Sequence, residues 1–229
     1  STSQARNEMV QFAAKMEKAG MSSDATGKHL RTLNHVLGQS AAQSQQTFTK
    51  MTGQALAMGL SVSELESAAS SAFGVMALDG NKATDALVRM AAEAKATGVE
   101  IGKMLAIANK FNTFKDGADF AAQLNSVFGT TISQAQLFGM TLEERNQHVK
   151  QSLIATTGGF DMMTKSQKLA AAEMLGFGND IGALAGYMGG TLSPEQEKAA
   201  AQAKNLETAQ NMLNQVISDS IPYLEEIKN

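Results

Sequence analysis

Apolar residues recur along this chain at intervals of three and four, and alternation at intervals of two is hard to find. Val62, Leu65, Ala69, Phe73 and Met76 form one such series, and Ile101, Met104, Leu105, Ala108 and Phe111 form another. That spacing gathers apolar side chains on one face of a helix, whereas a half-buried strand needs period two. The pattern therefore predicts an all-α fold without a sheet. Ala, Met, Gln and Leu dominate these segments, and all four are good helix formers.

The helix starts are written in the sequence. Ser61 stands three residues before Glu64, Thr141 before Glu144, Thr164 before Gln167 and Ser193 before Gln196. This is capping-box spacing, in which the hydroxyl and the later side chain each satisfy an orphan backbone N–H. Pro194 follows Ser193 at the first helical position, where a missing N–H costs nothing. Glycines at 20, 80, 98, 129, 158 and 178 mark stops. The coarse reading is about ten or more short helices joined by tight turns, then one long helix from Ser193 onward.

The organisation follows from where composition changes. Residues 1–21 read as an N-terminal helix that continues a longer chain, with Met9, Phe12, Ala13 and Met16 on one face. Residues 22–190 read as a globular short-helix region. From Glu195 the glycines disappear and Gln, Glu and Lys increase, so 191–229 reads as a long C-terminal helix. Ser1 is not Met, no signal peptide follows it, and both ends read as helix. The ends are thus expected to be cuts through a longer polypeptide, or those of a processed or engineered piece. Ala199, Ala203, Leu206, Gln210, Leu213, Ile217, Ser220, Leu224 and Ile227 hold an a/d register over four heptads, which Pro222 would kink. Two readings are open. The stripe is either a coiled coil with copies of the same chain, through Leu206, Gln210, Leu213, Ile217, Leu224 and Ile227, or an amphipathic helix packed on its own domain.

Several kinds of chemistry are unsupported by the residues present. Net charge is -3 and the basic residues are scattered, so nothing resembles the clustered Lys and Arg of a nucleic-acid surface. There is no Cys, hence no disulfide framework and no thiolate metal site. His29 and His35 are six residues apart and do not share a helix face as a metal pair would, and His148 is remote in sequence. All three are expected at the surface or half-buried. Gly176-Phe177-Gly178 follows a helix and not a strand, so it is no dinucleotide fingerprint. Gly182, Gly186 and Gly190 have the spacing of close helix contact, in a run too short and polar for a confident membrane span. Glu143-Glu144 and Glu225-Glu226 sit at helix ends. Glu173, within Ala170–Leu175, is the one candidate for the raised-pKa acid of a muralytic glycosidase, against the plainer reading of a solvent-facing residue. No GxSxG, phosphate loop or Cys nucleophile is present. The expectation is a non-enzymatic structural or interaction protein with no catalytic residues, no cofactor and no metal.

The stretch from about Ala91 to Gly190 carries four linked segments: Lys110 to Phe114, Leu124 to Gly129, Met140 to Arg145, and the Ala-rich Leu169 to Leu175. Their order resembles a region of the tail tape measure proteins of large tailed bacteriophages, over somewhat under half of the chain. That resemblance implies a virion structural protein inside the tail, made in the host cytoplasm, which sets tail length and leaves ahead of the DNA. It implies as partners further copies of itself, commonly as a trimer, and tail tube and tail tip or baseplate proteins. It implies no sequence-specific nucleic acid, and membrane contact only during ejection. Members of this family are largely extended helix, whereas residues 22–190 read as globular. The rival readings are a muralytic virion domain acting through Glu173 and a bacterial helical adaptor or effector domain. The turn from Phe111 to Phe114 is expected to anchor two helices by burying Phe111, Phe114 and Phe120 together.

Overall fold

A computed structural model describes the backbone of residues 2–226 and the side chains of residues 6–72, 79, 80 and 82–220. Ile227 and the side chains of Phe73, Met76 and Leu224 therefore lie outside the described residues. Among the described residues there are thirteen α-helices and no strand, so the fold is all-α. In chain order they are α1 (Thr2–Lys18), α2 (Ser23–Leu37), α3 (Ala41–Ala57), α4 (Val62–Met76), α5 (Ala83–Thr97), α6 (Ile101–Asn109) and α7 (Phe114–Phe128). There follow α8 (Gln134–Phe138), α9 (Leu142–Thr157), α10 (Lys165–Leu175), α11 (Ile181–Gly189), α12 (Pro194–Gln202) and α13 (Leu206–Glu226). Short 3-10 turns span Ala77–Lys82 and Phe160–Met162.

The chain's punctuation accounts for these boundaries. All four predicted capping boxes form, at Ser61, Thr141, Thr164 and Ser193. A fifth, Ser40 with Gln43, opens α3. Gly129 and Gly158 close α7 and α9 in the left-handed conformation, with φ of 71° and 76°. The cap of α10 is Gly176 instead of the predicted Gly178, although Gly178 is also left-handed. The single helix expected from Ser193 is two helices. Asn205 divides them: its side-chain oxygen accepts from the backbone N–H of Glu207 (2.9 Å) and Thr208 (3.3 Å), starting α13 afresh.

Packing groups the residues differently from composition. One unit takes the chain up to Val88 together with everything from Ser193, and the second takes Arg89–Leu192. In the first unit α3 is the central helix, and α13 crosses it closely. A Cβ on Gly53 would come within 2.5 Å of both Cα and Cβ of Ala209, so glycine is required for that approach. One turn beyond Ala209, Leu213 is fully buried, and Phe48, Met51, Leu65 and Leu33 complete much of the core.

The second unit has its own close crossing. Gly186 and Gly190, four residues apart, both lie against Thr97 at the end of α5. A Cβ on Gly186 would stand 2.2 Å from the Thr97 carbonyl oxygen, and one on Gly190 would stand 2.0 Å from its Cγ2. Gly182 has only ordinary contacts. Gly186→Ala is thus expected to destabilise the second unit by about 1–3 kcal/mol, because the obstacle is backbone and cannot rotate away. A denaturant midpoint at or above the native value would show that α11 shifts freely. Among the described residues no helix is long and apolar enough to cross a membrane.

Candidate functional site

The four resembling segments all lie in the second unit, and the one from Met140 to Arg145 runs into its helix α9. Arg145, Asn146, Val149, Lys150 and Leu153 fall on one face of that helix, and all five are buried. Three of the five are polar or charged, so this face must find partners inside the protein.

Arg145 holds the helix ends around it. Its Nε donates to the Leu137 carbonyl at 3.0 Å, Nη1 to Asn112 Oδ1 at 2.6 Å, and Nη2 to the Phe138 carbonyl at 3.2 Å. Two of these bonds go to carbonyls at the C-terminal end of the short helix α8, and the third reaches the turn after α6. Gln134, at the start of α8, reaches back to the same turn, its Nε2 donating to the carbonyls of Phe111 and Thr113 at 3.2 Å each. Lys110 ties the turn to α10, donating to the Met174 carbonyl at 2.8 Å while its Nζ lies 4.5 Å from the centre of the Phe120 ring. Burial lowers the Lys110 pKa from its ordinary value. Asn125 closes the loop after α7: its Nδ2 donates to the Ile132 carbonyl, and its Oδ1 accepts from Thr130 Oγ1 and the Ile132 N–H.

A second cluster lies one turn further along α9. Lys150 pairs with Glu93 of α5, and each side chain is 2% exposed. Lys150 Nζ also donates to the Gly190 carbonyl at 2.7 Å, and Gln147 Nε2 donates to the other Glu93 oxygen at 2.5 Å. Tyr187 of α11 is fully buried, its hydroxyl 3.0 Å from the Asn146 carbonyl oxygen and 3.1 Å from Asn146 Oδ1. Burial pushes the Tyr187 phenol well above its ordinary range, and the Glu93 charge adds to that. Nearby, Arg89 pairs with Glu143 at 3.3 Å. Burial raises the Glu143 pKa, opposed by Arg89. The chemistry here is charge compensation. The Glu93–Lys150 pair is closed off from solvent and binds α5, α9 and the end of α11 into one body.

The candidates named from sequence are spread apart. Glu173 is exposed on α10, away from the apolar cleft that a raised-pKa acid requires. His35 is exposed and His148 half-buried, but His29 is buried at 1% exposure, contrary to expectation, because it stacks on Phe48. Phe111 and Phe120 are buried together with ring centres 5.3 Å apart. Phe114 departs from expectation: it is 64% exposed, since Thr113 is the α7 N-cap and the first residue after it points outward. Among the described residues no group of three or more His, Asp or Glu is placed to hold a metal ion. Of the proposed self-association residues, Leu213 is buried, while Leu206, Gln210 and Ile217 are half-buried on the same stripe.

Sequence reasoning missed Glu93, Asn146, Lys150 and Tyr187. The signal available was polar residues standing on the inward-facing positions of α9, one turn from Val149 and Leu153. No family model, no curated protein and no solved structure matches the chain.

Proposed function

We propose that the chain is a non-enzymatic structural segment of a phage tail tape measure protein, lying within the tail tube or tip and leaving at DNA ejection. The observation that carries this reading is how the resembling segments are used. Lys110, Asn112 and Arg145 hold the turn, α8, α9 and α10 together, with Gln134 completing the set. Residues with that role are scaffold, as a structural component needs, and not a constellation around a substrate. Glu173, the residue on which the muralytic alternative rests, is solvent-facing.

Assembly with further copies is part of the proposal, as are contacts with tube and tip or baseplate proteins. Ala209, next to the heptad stripe of α13, meets Gly53 of α3, and Leu213 of the stripe is buried, so a neighbouring copy meets its half-buried members Leu206, Gln210 and Ile217; in the sequence Leu224 and Ile227 continue the register. Sedimentation of the whole chain at several concentrations is expected to show a concentration-dependent oligomer that Ile217→Asp weakens. A strict monomer at every concentration rejects self-association and leaves the stripe to intramolecular packing. The functional reading itself is tested by mass spectrometry of purified virions of the encoding phage. Peptides from this chain are expected in the tail fraction, and their confinement to host-cell extract would reject it.

A further inference from the structure

The second unit is an insertion: the chain leaves the first unit after Val88 and returns to it at Ser193. Both passages are tied to the same end of α3. On the outgoing side, Asp85 accepts from Gln54 Nε2 of α3 at 3.1 Å and pairs with Lys204 at 2.7 Å. On the returning side, Gln196 Nε2 donates to the Met58 carbonyl, at the end of α3, at 2.8 Å. Gln196 Oε1 accepts from the Ser193 N–H at 2.9 Å, which holds the first turn of α12 to the same anchor. Gln54 and Met58 are four residues apart, about 6 Å along a helix axis.

Beyond these two anchors, a longer seam joins the stretch before the insertion to the stretch after it. Gly53 of α3 meets Ala209 of α13 so closely that a Cβ on Gly53 would stand 2.5 Å from it, and Leu213, one turn on, is fully buried. Further along α13, Ser220 Oγ donates to the Lys18 carbonyl at the end of α1 at 3.0 Å.

We propose that the seam of α12 and α13 on α3 is a mechanical shunt, which keeps tension along the chain away from Arg89–Leu192 until the seam opens. Tension applied at the two ends has two routes. One runs covalently through the insertion, and the other crosses directly between the two stretches of the first unit. While the seam holds, Asp85 and Gln196 stay fixed to the end of α3. A segment whose ends are held at a fixed separation carries no added load. The order of opening is therefore set by connectivity, whatever the two units' stabilities are without load. The Glu93–Lys150 pair and the crossing of Gly186 and Gly190 on Thr97 come under tension only afterwards. Such a shunt goes beyond the tail role and operates with or without it.

The test is to stretch the whole chain in optical tweezers by handles at its two ends. Two events are expected in fixed order, the second releasing the Arg89–Leu192 segment, about 35 nm of contour at roughly 3.4 Å per residue. Leu213→Ala in the seam is expected to shorten the lifetime of the first event at constant force about tenfold and to leave the second unchanged. Lys150→Met is expected to shorten the second and leave the first unchanged. Tyr187→Phe, which removes only the hydroxyl bonds to Asn146, replaces it should Lys150→Met not fold, and Gln196→Ala likewise replaces Leu213→Ala. An event of about 35 nm that comes first overturns the proposal. So does a first event whose lifetime responds to Lys150→Met or Tyr187→Phe. If both units open in one step, a response of that step to the seam variant alone supports the shunt, and any response to the second-unit variants overturns it.

Discussion

Lys150→Met is expected to lower the stability of the second unit by about 3–5 kcal/mol, the usual consequence of removing one partner from a buried ion pair. Glu93 would remain 1% exposed with its charge uncompensated. Gln147 would still donate to it, but the Gly190 carbonyl would lose its ammonium donor. The loss would be felt at α5, α9 and the end of α11 together. The pair itself need not stabilise the fold, because two charges lost much of their hydration to form it. The double variant Glu93→Leu with Lys150→Met is accordingly expected to recover most of the loss. Guanidinium midpoints followed by far-UV circular dichroism for the two single variants and the double variant give the coupling directly. If Lys150→Met alone is neutral, water reaches Glu93 and the cluster is not the bond between these helices.

That cluster also marks where the sequence stops being readable. Helix identity was legible because it is local: four hydroxyl-to-Glu or hydroxyl-to-Gln spacings each opened a helix, and the apolar series at Ile101–Phe111 became a buried face. The fifth box, Ser40 with Gln43, has the same spacing. Glu93 and Lys150 are 57 positions apart, and no local pattern pairs them. On a helical wheel, polar residues on the Val149 and Leu153 side of α9 weaken the apolar stripe, so that face gives no sign of being buried. The C-terminal segment shows the opposite error. Four heptads of spacing suggested one uninterrupted helix, yet Asn205 offers a cap that starts a new helix at Leu206. Heptad spacing survives such a break, since it records only which residues are apolar. Leu213 is then buried one turn beyond Ala209, where Gly53 lets the backbones of α3 and α13 approach. A glycine inside a helix can be a weak point or a contact, and only the opposite surface decides which.

Phe111→Ala is expected to cost about 3–5 kcal/mol, whereas Phe114→Ala, three residues later in the same motif, should stay within about 0.5 kcal/mol. Phe111 has no exposed surface and packs on Phe120 with rings tilted by 52°. Its carbonyl accepts from Gln134, so the backbone around a truncated side chain is pinned and cannot collapse into the space left behind. The Phe120 ring, which also has Lys110 Nζ 4.5 Å from its centre, would lose the Phe111 wall of its site as well. Phe114 keeps 64% of its surface in solvent, and alanine is a better helix former at the start of α7. The two substitutions delete the same atoms, so the difference between their denaturant midpoints isolates burial from composition. Equal losses would mean that Phe114 packs against the protein in solution. A neutral Phe111→Ala would mean that the turn from Lys110 to Phe114 is not the anchor between α6, α7 and α8. A Phe114 that is neutral to stability while its alanine variant fails to enter virion tails would assign that exposed ring to a partner surface.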